Sequence, residues 1–144
     1  MTSRALNVES VAHQLLSAYG IQTPPVPLEA ILQHPLPDMW HRIDLAVLPD
    51  TFFAQDDPYR PRQALAHLLV CLLADSEWGS QHGLAGVASS ADKVNQLARA
   101  ILMPRDWLSQ LPPAALEPGV LGALYQVPVA EAIIRLQELD VFVS

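Results

Sequence analysis

One cysteine, Cys71, stands in a chain of 144 residues, so no internal disulfide can form. Basic residues are also scarce, with eight Lys and Arg against fifteen Asp and Glu, a net charge of −7. They are scattered, and neither half of the chain is basic. That excludes the basic patch on which nucleic-acid binding depends and gives no support to an anionic membrane surface as partner. No apolar run is long enough to cross a bilayer. The longest, Leu65 to Ala74, contains His67 and is about half the length required. Met1 to Ser10 lacks the charged-then-apolar pattern of a secretion leader and runs straight into an amphipathic segment. There is no internal repeat and no low-complexity tail. These absences predict a cytoplasmic protein.

Hydrophobic residues make up 51% of the chain and charged residues 16%, the composition of a globular rather than a disordered chain. The length suits one domain, residues 1–144, with a sizeable core. Thirteen prolines divide it into short elements. Asn7 is placed to cap a helix in which Val8, Val11, Ala12, Leu15, Leu16 and Tyr19 recur at helical spacing, and Gly20 closes it. Pro24 and Pro25 form an extended link. Pro27 opens a short helix carrying Leu28, Ile31 and Leu32, which Pro35 and Pro37 end. Ile43 to Leu48 alternates as a strand does, and Thr51 to Ala54 reads as a second strand. A helix is expected from Pro61 or Arg62 to about Asp75, apolar on every side and therefore buried all round. Glu77 to Ser90 reads as a loop. A helix from Ser90 or Ala91 ends before Pro104, a short one carries Trp107 and breaks at Pro112 and Pro113, and Gly119 to Tyr125 forms a small helix. Pro128 begins the last helix, with Val129, Ala132, Ile133, Leu136 and Leu139 facing inward.

The densest chemical signal lies in Arg62-Gln63-Ala64-Leu65-Ala66-His67-Leu68-Leu69-Val70-Cys71. A zinc peptidase helix of the H-E-x-x-H kind carries two His four residues apart, so both imidazoles reach one metal from one face, and a Glu that takes a proton from the metal-bound water. His67 holds the first ligand position. Leu68 stands where the base belongs, and Cys71 where the second His belongs. A thiolate can bind zinc, so His67 and Cys71 form half a possible site. The plainer reading makes His67 a hydrogen-bonded core residue and Cys71 a small buried hydrophobe. A Cys71–His67 nucleophile pair is disfavoured, because apolar burial raises a thiol pKa.

This decamer resembles the R-F-T-L-A-H-E-L-G-H segment of the ImmA/IrrE family of bacterial metallopeptidase-like proteins. Val94-Asn95-Gln96-Leu97-Ala98-Arg99-Ala100-Ile101-Leu102-Met103-Pro104 is similar to that family's A-N-x-F-A-x-x-L-L-M-P segment. Tyr19-Gly20-Ile21 and Pro24 to Ile31 resemble its opening, and Leu124 to Pro128 with Arg135-Leu136-Gln137-Glu138-Leu139 resemble its ending. The resemblance implies an α+β, mainly helical, minimal zincin-like domain with a small antiparallel sheet packed beside a buried central helix. The family's third zinc ligand falls on Ala91, which has no donor atom. Asp92 is the adjacent acid, about 100° further round a helix.

The base and two of the three family ligands are thus missing. The resemblance then implies a catalytically inactive metallopeptidase-like protein with no resident metal, acting as a regulatory or protein-interaction module. Active relatives cleave or control a helix-turn-helix repressor, so a transcriptional regulator is the partner implied. The terminal helix pair superficially resembles a helix-turn-helix, but Glu131, Glu138 and Asp140 against Arg135 argue against a DNA groove. The alternative is a zinc-dependent hydrolase using His67, Cys71 and Asp92, with a base from outside the motif. A homodimer with the old cleft buried in its interface is a third reading.

Overall fold

The computed structural model describes residues 7–41 and 59–139. Helix α1 (Val8–Ala18) starts where Asn7 Oδ1 accepts the Ser10 amide at 3.1 Å, which satisfies one of the amides left open at a helix start. It stops at Tyr19, with Gly20 in the left-handed region. After a cis Pro24–Pro25 bond, α2 (Leu28–Gln33) buries Leu28, Ile31 and Leu32. The segment behind it folds back so that the Trp40 indole N–H donates to the Leu32 carbonyl at 2.9 Å.

Helix α3 (Arg60–Ala74) is the central helix, with Pro61 in its first turn, where the missing amide hydrogen costs nothing. It is not buried all round. Leu65, Ala66, Leu69, Val70, Leu73 and Ala74 form its buried face, while His67, Leu68, Cys71 and Leu72 are only partly covered. The stretch read as a loop holds a short helix, α4 (Glu77–Gln81), started by Ser76 Oγ accepting the Gly79 amide at 3.0 Å, and a 3-10 turn at Val87–Ser89. Helix α5 (Ala91–Leu102) begins at the Ser90 cap and is sandwiched between α1 and α3. Its buried positions, Val94, Leu97, Ala98, Ala100, Ile101 and Leu102, meet the apolar faces of both neighbours. Each buried valine, leucine or isoleucine there contributes about 1.5–3 kcal/mol. Helix α6 (Arg105–Leu108) turns the corner after Pro104, a 3-10 turn spans Pro113–Leu116, and α7 (Pro118–Tyr125) and α8 (Val129–Leu139) pair across a 110° bend.

The expected α+β class is corrected, because every regular element among the described residues is helical and no sheet is present. The buried face of α3 is covered by α2 and α5, so helix-on-helix packing supplies the cover that a small sheet was expected to give. The strands read at residues 43–48 and 51–54 lie outside the described residues. Among the described residues no single helix is long and apolar enough to cross a membrane.

The inward set of α8 also differs. Ala132 and Leu139 are buried as expected, but Val129 and Ile133 are exposed and Arg135 is buried instead. Arg135 is 0% exposed. Its Nε donates to the Met103 carbonyl at 3.0 Å, and its two terminal nitrogens donate to the Glu9 carboxylate. A fork of donors matched to a carboxylate holds α8 against the first turn of α1 and the end of α5.

Candidate functional site

His67 projects from the partly covered face of α3 beside Arg60, Gln63 and Ala64, with which it lines a pocket of about 200 Å³. These residues are one or two turns apart and share a helix face. The Nε2 atom is buried and meets no hydrogen-bond partner among the described residues. Burial therefore disfavours the charged imidazolium and lowers the His67 pKa below 6.5. The Glu131 carboxylate opposes that shift, and the Arg99 guanidinium adds to it.

Both of those charges belong to one cluster. Arg99 of α5 reaches Glu138 of α8 through two bonds, Nε to Oε1 at 3.0 Å and Nη2 to Oε2 at 2.6 Å, and Glu131 through Nη1 at 3.4 Å. All three side chains are mostly covered. The hydrogen bond to Glu138 holds the Arg99 pKa above its ordinary value, against the opposing effect of burial. Glu138 also lies 4.0 Å from Arg135, so the cluster runs on into the Arg135–Glu9 pair. Glu131 and Glu138, the acids that argued against a DNA groove, are thus folded inward by two arginines.

The family-motif positions are only partly gathered. Cys71 lies one turn beyond His67 on α3, partly buried against the core, and Leu68 packs against the same core. Ala91 and Asp92 are exposed at the start of α5. Asp92 is seven residues, roughly 10 Å along a helix, from Arg99, the α5 residue whose charge acts on His67. Among the described residues, no three of His, Cys, Asp and Glu converge on a common point. A zinc ion does not fit this set. One imidazole and one thiol are offered, the acid is displaced along α5, and a guanidinium occupies the neighbourhood.

Arg62, first residue of the motif decamer, has a structural task. Its Nε donates to the Gln126 carbonyl at 3.2 Å and its Nη2 to the Val26 carbonyl at 3.0 Å. It ties the start of α3 to the α7–α8 turn and to the link before α2. Arg99 escaped the sequence reading, although a signal was present. It is a lone cation within Leu97-Ala98-Arg99-Ala100-Ile101-Leu102, and a cation in such a setting requires carboxylates from elsewhere in the fold. His82 is half-buried and stacked on Trp78, ring centroids 3.7 Å apart.

Comparison with protein-family models, with curated proteins and with solved structures returns no match.

Proposed function

We propose that this chain is a catalytically inactive, metallopeptidase-like cytoplasmic protein that works by holding a protein partner, with a transcriptional regulator as the partner class suggested by the family resemblance. The observation supporting this reading is the company that His67 keeps. Hydrolysis would need a base and further ligands around the imidazole. The neighbours here are Leu68, which cannot accept a proton, and Arg99, a cation already engaged by Glu131 and Glu138. Asp92, which the hydrolase reading requires as a ligand, faces solvent at the far end of α5.

Elemental analysis of protein purified without chelator, beside a His67→Ala control, tests the proposal. The expected result is zinc well below stoichiometric in both proteins, with no peptidase activity added by zinc. About one zinc per chain, lost in the His67→Ala variant, would overturn it and restore the hydrolase reading.

A further inference from the structure

A groove of about 460 Å³ lies between α1 and the corner where α5 passes into α6, on elements that contribute nothing to the His67 pocket. Its volume falls within the range of ligand sites. The buried side chains of Leu16 and Pro104 contribute apolar lining, and Trp107 adds a half-buried indole. That ring is stacked on buried Tyr125, centroids 6.2 Å apart and planes 21° from parallel, so little side-chain freedom is left to lose on binding. The polar lining comes from both sides. Gln22, beyond the end of α1, and Gln110, beyond the end of α6, offer side-chain amides that both donate and accept. Asp106 carries a carboxylate that is 67% exposed and 3.2 Å from His13 Nδ1, so this pair links α1 to α6.

We propose that this groove binds a short peptide segment of a protein partner, seating a bulky apolar side chain against Trp107 and a neighbouring Lys or Arg against Asp106. Amides that donate and accept suit a peptide bond, whose N–H and C=O both need partners when covered. A fixed, partly buried Trp is the residue type that anchors protein interfaces. The preference for a basic neighbour follows from charge. The chain carries −7, Arg105 is the one permanent cation lining the groove among the described residues, and, with Glu9 taken up by Arg135, the 67%-exposed carboxylate of Asp106 is the acid the groove presents to a basic neighbour. The proposal gives the partner of the preceding section a chemistry but does not use His67. Zinc at His67 would leave the groove unaltered, so the two proposals fail separately.

The test is an NMR titration of the ¹⁵N-labelled full chain with N-acetyl-Leu-Arg-amide and, as comparison, N-acetyl-Leu-Glu-amide. The Arg dipeptide, at about 10 mM against a Kd of about 1 mM, is expected to shift the Trp107 indole N–H and the Gln22 and Gln110 side-chain amides. The Glu dipeptide is expected to bind about fivefold more weakly, and Asp106→Asn to erase that difference. Trp107→Leu, its fold checked by circular dichroism, is expected to weaken both dipeptides about fivefold or more. Absence of shifts at these three side chains, equal affinity for the two dipeptides, or a preference that survives Asp106→Asn would overturn the proposal.

Discussion

Arg135 and Glu9 stand 126 residues apart in the chain and share a two-pronged ion pair that has no solvent on its arginine side. Removing Glu9 leaves the guanidinium with a charge it cannot hydrate, and removing Arg135 leaves a carboxylate only 26% exposed without its partner. Arg135→Met is expected to cost about 3 kcal/mol in urea unfolding, since it also frees the Met103 carbonyl. Glu9→Leu is expected to cost a similar amount by stranding the buried guanidinium. The double variant should lose clearly less than the sum of the two, and strict additivity would show that the pair does not act as a unit.

Gly79 of α4 admits no side chain. A Cβ there would fall inside contact distance of the Leu73 carbonyl oxygen, a backbone atom that cannot swing aside. Gly79→Ala is therefore expected to destabilise the fold by roughly 3 kcal/mol through overpacking, read as a lowered urea midpoint. Gly83→Ala is a useful contrast. Nothing crowds that position, and its φ of 81° is the only obstacle, so its cost should be smaller.

His67 supplies a pH signature. Its folded pKa lies below the unfolded value of 6.5 because burial penalises the imidazolium. The stability it contributes is full above pH 6.5 and is lost as pH falls through the folded value, because the unfolded chain takes up a proton that the folded one resists. In an NMR titration the His67 Cε1 proton is expected to show a midpoint below 6.5. His67→Gln is expected to flatten the acid limb of the stability curve just below that pH. A midpoint above 6.5 would refute the desolvated environment.

Tyr125 supplies the alkaline counterpart. Burial raises its pKa from 10.0 to about 12. The unfolded chain then ionises first, so the stability held by the neutral phenol is complete below pH 10 and is lost as pH rises through about 12. Burial raises the Tyr19 pKa as well, so absorbance of tyrosinate during alkaline titration should show more than one late component, and Tyr125→Phe should remove the one near pH 12.

The helices were legible because their signals are local. Asn7 and the Val8 to Leu16 stripe mark α1, Ser90 and the Leu97 to Leu102 stripe mark α5, and Pro104 and Pro112 set the corners. The expected sheet is the part that the described residues overturn: the cover on α3 is decided by which elements dock, not by α3 itself, and helices α2 and α5 supply it. The inward face of α8 was misread for a related reason. Its period allows Ile133 or Arg135 to point inward, and hydrophobicity favours Ile133. A carboxylate on α1 and a carbonyl at the end of α5 reverse that choice, and neither is visible from α8 alone. At the candidate site, His67 and Cys71 could be placed from their spacing. Arg99 required the tertiary fold, since its partners come from a helix more than thirty residues on.

The α7–α8 pair keeps Val120, Leu124, Val129 and Ile133 outside, while two arginine-centred clusters and the Arg62 bonds join it to the rest of the chain. A unit joined through these ionic contacts beside buried Leu121, Tyr125, Val127, Ala132 and Leu139 should open at a lower free energy than α3 and α5, which are joined to each other through hydrocarbon. Backbone amides of α8 would then exchange with deuterium sooner than those of α3. Acid strong enough to protonate carboxylates would widen the gap, weakening the ionic joint while leaving the apolar one intact, whereas added salt would do little, because the pairs are mostly covered.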